Sequence, residues 1–410
     1  MRSFSAPDTA GAALRLALAA LLLGISATAI GRTFLFVVLP PLGRHLGFSD
    51  IQTGAVLSVA AILVIVVAPL WGAVTERIGR RPVLLLGFAS VSLAPAAIGW
   101  VVAARLEGTV AALTALVLIG AIRFCQAALA GGLLPAAQAY MADVTPPERR
   151  VQGMGMLGAA FGVGAIVGPA LAWRLGGDQV VTAFVLIGVL AAGGFLSACY
   201  FLSEPVRPVP HLVRSAAIPF RQVWPFFFIT FCSITTYGVV QQVTALRLQD
   251  TLGLSFQEAI TRAGSALMLT SLMMVCVQAL LVRGLRWPPE RLLLLGAVGA
   301  LLGMLGLAVA SQYNAIVAAM VVFGGSLGLV FPGNLASLSV RTGEAAQGKT
   351  AGINAMGQGL GGATSPLLGA TLHQLAPVAP YVVMSGFLVL VILLALLGSR
   401  LQRPDTGLEG

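Results

Sequence analysis

The sequence predicts an all-α membrane protein of about twelve transmembrane helices arranged as two pseudo-symmetric six-helix bundles. Three observations carry this: too few charges for a soluble domain, apolar runs long enough to cross a bilayer, and a repeat between the two halves. Of 410 residues, 58% are hydrophobic and only 9% charged, against roughly 25% charged in soluble domains. A bilayer offers the backbone no hydrogen-bond partners, so only helices or closed barrels cross it. The runs here exceed the roughly ten alternating residues of a barrel strand, which selects helices.

A span needs about 20 mostly apolar residues. Such runs fall at approximately 14–42, 51–74, 83–104, 110–140, 152–174, 180–202, 223–246, 262–283, 291–310, 314–339, 350–372 and 378–399. Residues 16–30 have the look of a cleaved leader, with Arg2 and Arg15 ahead and small residues at the end. The apolar character resumes after Arg32 through Pro40, so the segment reads as a retained first span. The connection 203–222 is rich in Pro and Arg and reads as a cytoplasmic linker. It divides the chain into an N-terminal bundle, 1–202, and a C-terminal bundle, 223–410.

The formal net charge of +10 is spread as single and paired arginines between apolar runs. That is a topology signal, not the clustered footprint of a nucleic-acid binder. With both termini cytoplasmic, the basic loops (Arg77, Arg80, Arg81, Arg149, Arg150, Arg207, Arg214, Arg221, Arg283, Arg286, Arg291) lie inside. Only Arg44, Arg105, Arg174, Arg247 and Arg262 then face outward. A bacterial-type inner membrane is expected.

The repeat is explicit. Gly155, Gly164, Gly168 and Pro169 of the fifth span recur with the same spacing as Gly352, Gly361, Ser365 and Pro366 of the eleventh. Leu46-Gly47-Phe48-Ser49 after the first span is matched by Leu252-Gly253-Leu254-Ser255 after the seventh. Internal repeats of this kind are common in secondary transporters.

Between the second and third spans stand Gly72, Glu76, Arg77, Gly79, Arg80 and Arg81. An acid ends one helix, Gly79 allows a tight turn, and the arginines are placed to pair with acids or carbonyls of neighbouring helix ends. This spacing resembles the cytoplasmic loop signature of the major facilitator superfamily, with Glu76 where that family favours Asp. Arg123 through Gln126 in the fourth span resembles a second motif of the superfamily, whose buried Arg is linked to proton coupling. Gly155 through Pro169 resembles the fifth-span signature of the antiporter branch, although Ala172-Trp173 replaces its final glycine pair. With Asp143 in the fourth-span tail, the N-terminal half is similar to the twelve-span drug:proton antiporters. The resemblance implies the major facilitator fold, alternating access and gating roles for Gly72, Glu76, Arg77, Gly79, Arg80, Arg81, Arg123, Asp143, Gly164, Gly168 and Pro169. The stretch beginning Arg32-Thr33-Phe34 also resembles the opening of siderophore exporters in that branch.

Intramembrane charges are functional candidates because they are expensive there. Arg32 and Arg123 qualify, while every one of the 14 acids maps to a loop, a terminus or a span end. Two cationic forks with no carboxylate at depth favour an anionic ligand. The alternatives are that Arg32 snorkels to the outer surface and that Arg123 clamps helix-end carbonyls. Gln126, Tyr237, Gln241, Gln242, Asn334, Asn354 and Gln358 are further candidates to line a substrate site, or to bond a neighbouring helix.

The four cysteines have no disulfide or metal spacing, and the three histidines lie far apart in sequence, so no metal and no cofactor is expected. An enzyme would need convergent acids, His or Cys, and none converge here. The expectation is a monomeric, proton-coupled exporter of a small acidic or chelating molecule such as a siderophore. A multidrug exporter of hydrophobic compounds and an anion importer or exchanger are the alternatives.

Overall fold

The computed structural model describes residues 7–146, 149–205, 220–285, 287–342 and 347–400, and among them every regular element is helical. In chain order the helices are α1 (Pro7–Leu46), α2 (Asp50–Ile78), α3 (Arg80–Leu106), α4 (Ala112–Ala130), α5 (Leu133–Val144), α6 (Arg150–Leu175) and α7 (Val180–Phe201). They continue as α8 (Phe220–Leu252), α9 (Phe256–Cys276), α10 (Val282–Leu285), α11 (Pro289–Val309), α12 (Tyr313–Thr342), α13 (Gln347–Leu375) and α14 (Ala379–Arg400). Most of the expected linker, 206–219, lies outside the described residues, as do Pro147 and Glu148.

Eleven helical stretches among the described residues are long and apolar enough to cross a membrane. The expected eleventh span is α13, which has the length, at 29 residues. Its glycines, amides and hydroxyls make it more polar than the others. Two spans differ in form from a plain helix. The fourth is interrupted at Gly131 and Gly132, between α4 and α5, where a Cβ would press on Val67 of α2 at the first glycine and on Val83 of α3 and Trp71 of α2 at the second. In the eighth, a π turn at Val277–Leu281 joins α9 to α10, the kind of local unwinding that recurs at functional positions. α1 runs unbroken for 40 residues through Arg32, with Pro40 and Pro41 inside it.

By packing, the chain divides into two units: Met1–Val38, His45–Phe48 and Val59–Pro210, and Leu39–Arg44, Ser49–Ser58 and His211–Gly410. The second therefore includes the end of α1 and the start of α2. In the first unit the core is built from Leu21, Ile25, Leu84, Phe88, Ala136, Tyr140 and Leu157. Large apolar side chains such as Leu70, Leu93, Trp100 and Leu113 stay exposed, as expected where the solvent is lipid.

The repeat seen in sequence reappears as local geometry. Gly47 (φ 93°) and Gly253 (φ 65°) both occupy the left-handed region after their helices end. Ser49 and Gln52 then cap the start of α2 reciprocally, as Ser255 and Glu258 cap α9. Such a capping box satisfies two orphan amides of a helix start.

The small-residue faces also match. In the first unit, Gly164 and Gly168 of α6 face Ala29 and Thr33 of α1, and Thr33 Oγ1 donates to Gly164 O at 2.7 Å. In the second unit, Gly361 of α13 lies against Phe231 and Ile234 of α8, and Ser365 lies against Gly238. Pro169 and Pro366 each sit inside their helix immediately after this contact.

Candidate transport site

In the first unit, Arg32 and Arg123 are close enough for their charges to act on one another. Arg32 is exposed on α1, its guanidinium 5.9 Å from the Phe36 ring centre one turn along. Arg123, on α4, donates through Nη1 to Gln126 Oε1, which brings those two predicted residues together. Its Nε is buried and has no hydrogen-bond partner among the described residues. A buried N–H left unsatisfied costs about 1–3 kcal/mol, and a carboxylate or a similar oxyanion is the acceptor that would recover it. Two adjacent cations raise that preference, since each is destabilised by the other until an anion arrives.

The glycine-and-arginine loop is built in the same unit. Gly79 (φ 109°) precedes α3 in a conformation that side chains resist. A Cβ there would lie 2.7 Å from the Glu204 carboxylate. That carboxylate accepts from Arg80 N at 2.7 Å and Arg81 N at 2.8 Å, closing the helix start with a negative charge. Arg80 Nε donates to Asp143 Oδ2 at 3.1 Å and its Nη1 to Thr75 O at 3.0 Å. Arg81 bonds the carbonyls of Leu202 and Cys199, the end of α7. Glu76 and Arg77 are exposed, and Gly72 faces open space. The acids that hold this loop's arginines and amides are therefore Asp143, which the sequence reading named, and Glu204, which it missed. Glu204 sits at the head of the Pro- and Arg-rich linker, where its proximity to α3 has no local signature.

The second unit holds the remaining predicted polar residues in two groups. Tyr237 and Gln241 on α8 form a chain to α9, with Gln241 Nε2 donating to Tyr237 Oη and the latter bonding Ser271 Oγ, both at 3.2 Å. Thr230 links Asn334 of α12 to Asn354 of α13: Asn334 Nδ2 donates to Thr230 Oγ1 and Thr230 Oγ1 to Asn354 Oδ1, both at 2.8 Å. Asn334 also donates to Phe226 O at 3.0 Å. Gln242 is fully buried and neither of its amide atoms finds a partner among the described residues. Gln358 is exposed and belongs to neither group.

Arg247, placed on the outward side by the charge pattern, is a buried residue at 2% exposure. Its guanidinium lies 4.5 Å from the Tyr381 ring centre and donates to Ala310 O at 2.6 Å. α8 continues to Leu252, six residues beyond the span read from hydropathy, and so carries Arg247 into the bundle.

A model of the Major Facilitator Superfamily matches residues 21–366 and again 285–409. Among curated proteins, the class G tetracycline resistance protein of Vibrio anguillarum is 31% identical over 227 residues, covering 52% of this chain and 54% of that protein. The class C protein of Escherichia coli is 29% identical, over 48% of each. The chain thus spans about half the length of the tetracycline resistance proteins it matches. Multidrug resistance protein 2 of Bacillus subtilis is 24% identical over 90% of this chain and 92% of its own. Among solved structures, a bacterial homologue of the human lysosomal transporter Spinster superposes with a TM-score of 0.72 at 17% identity, over 97% and 98% of the two chains. A D-xylose–proton symporter does so at 0.70 and 18% identity, over 94% and 96%.

Proposed function

Because the chain belongs to the major facilitator superfamily, we propose that it is a proton-driven exporter of a small acidic or chelating molecule, working by alternating access. The observation that carries the anionic substrate is the pairing of Arg32 with Arg123, whose buried Nε lacks a partner among the described residues. In this reading the substrate's oxyanion bridges the two guanidinium groups. Gln126 holds Arg123 in place. Export and proton drive are supported by the likeness to resistance proteins and by the α6 contact of Gly164 and Gly168 with α1. An iron-chelating siderophore is the endogenous substrate that best joins acidity with chelation. We place the protein in the inner membrane as a monomer with cytoplasmic termini and two six-helix bundles, 1–202 and 223–410.

Mass spectrometry of medium and cell extract, from wild-type and deletion strains grown with and without iron, tests this directly. An acidic chelator lost from the medium and trapped in the cells is expected. Arg32→Ala should reproduce the deletion at normal expression, and full export by that variant would remove Arg32 from the binding role. The end-to-end match with Multidrug resistance protein 2 favours a second reading, efflux of hydrophobic compounds. There the deletion strain shows no metabolite difference but gains drug susceptibility.

A further inference from the structure

Proton-driven transport needs a group that gains and loses a proton near neutral pH, and the membrane-spanning runs offer no carboxylate at depth. The structure assembles a candidate elsewhere, inside the second unit. At the end of α1, Arg44 forms two bidentate pairs. Its Nε and Nη2 bond the Asp50 carboxylate at 2.6 and 2.7 Å, and its Nη1 and Nη2 bond Asp250 at 2.7 and 3.0 Å. Asp250, near the end of α8, takes a third partner, His373 of α13, whose Nε2 lies 2.8 Å from Oδ2. The His373 side chain is 1% exposed and that of Asp250 33%.

Charge counting shows what this arrangement leaves open. Two carboxylates, one guanidinium and a neutral imidazole carry a net charge of −1, and a proton on His373 brings the cluster to zero. The tautomer follows from the partners. Asp250 already accepts from Arg44, so as a carboxylate it can only accept from His373, and Nε2 must be the donor. Nδ1 is then a bare lone pair, and it is buried with no partner among the described residues. Burial opposes the imidazolium and holds this histidine below its ordinary value, while Asp250 and Asp50 favour the charge, so the vacant nitrogen takes a proton only as the pH falls.

Among the described residues, no further charged group is seen to act on His373 from the other helices packed against α13. The charged groups acting on His373 are Asp250, Arg44 and Asp50. Of the other ionisable side chains nearby, Tyr313 of α12 bonds Ser265 and Arg262 O, and Arg341 bonds Ser337 O and Gly398 O. Tyr381 of α14 lies under Arg247. Gly54 and Ser58 of α2 press on the same stretch of α13, with Leu367 N donating to Ser58 Oγ at 3.0 Å.

We propose that His373, held by Asp250 and the Arg44–Asp50 pair, is the proton-carrying site of this transporter. The proposal rests on the proton-driven reading above and names its carrier. The step is a simple one: water-borne H⁺ adds to Nδ1, forming one N–H bond and an imidazolium, and leaves again to water. Burial of Nδ1 means that the proton exchanges only when the end of α13 moves from its partners, and this ties protonation to conformational change.

The test uses the full-length protein in nanodiscs, with ¹⁵N-labelled histidine. The chain has only three histidines, so the His373 signal is the one lost in His373→Gln. It is expected to gain a proton within a scan over about pH 4 to 8, and Asp250→Asn should move that transition to lower pH, since the imidazolium loses its counter-charge. A signal unchanged across that range, or a midpoint unmoved in Asp250→Asn, overturns the proposal. In proteoliposomes with tetracycline as the probe, His373→Gln should lose roughly tenfold of pH-gradient-driven accumulation while keeping gradient-independent counterflow. Wild-type accumulation by His373→Gln also overturns it. A wild-type protein that ignores the gradient refutes proton-driven tetracycline transport, and the titration then decides the proton site separately.

Discussion

Gly168 of α6 and Gly238 of α8 each supply the glycine of one of the two matching helix contacts, yet their neighbourhoods make different demands. A Cβ on Gly238 would meet only the side chain of Ser365, whereas one on Gly168 would meet Thr33 Oγ1 and also backbone atoms of Ile30 and Phe34. Both alanine substitutions should destabilise the detergent-solubilised protein by about 1–3 kcal/mol, the usual cost of overpacking. Adding Ser365→Gly should restore Gly238→Ala almost fully, while Thr33→Gly should rescue Gly168→Ala only in part, because backbone cannot yield as a hydroxyl can. Thermal unfolding of the four single and double variants checks this. At the scale of single residues the sequence was an uneven guide. Arg32 and Arg123 were legible because a charge in an apolar run is conspicuous by itself. Glu204, Arg247 and His373 were not, since each takes its meaning from partners far away in the chain: α3 for Glu204, Ala310 and Tyr381 for Arg247, Asp250 for His373.

Helices were far easier to foresee than their interruptions. Hydropathy finds an element because every residue in it contributes, but an interruption such as that at Gly131 and Gly132 involves two residues whose close neighbours, Val67, Val83 and Trp71, lie far away in the chain. The α2–α3 turn illustrates the same limit. Gly79 announces a left-handed residue, but the carboxylate that caps α3 arrives from Glu204 after α7. Glu204→Ala should therefore loosen the first turn of α3 by about 1 kcal/mol, seen as faster amide hydrogen exchange at Arg80 and Arg81. Unchanged exchange there would mean that the cap adds nothing.

For the molecule as a whole, the duplicated plan was readable from two short patterns, the Leu-Gly turn and the spaced glycines. Both mark places where geometry leaves little freedom to the residue type. If the linker only tethers two bundles, fragments 1–210 and 211–410 should restore export when expressed together and fail when expressed singly. Export of the chelator identified in the deletion strain is the measurement. The second fragment alone would lack Arg44 and Asp50, leaving Asp250 and His373 without half of their charge partners.

Where α6 meets α1, the glycine is on α6 and the hydroxyl of Thr33 on α1. Where α13 meets α8, the hydroxyl of Ser365 is on α13 and the glycine on α8. The two copies have thus divided one lock and key in opposite senses. A chimera that put α13 on α1 would drive hydroxyl into hydroxyl, and one that put α6 on α8 would leave glycine facing glycine across a gap. Whatever duplication produced this chain, its halves have since lost the freedom to trade parts. Exchanging one half's helix for the other's would break this fit at both contacts.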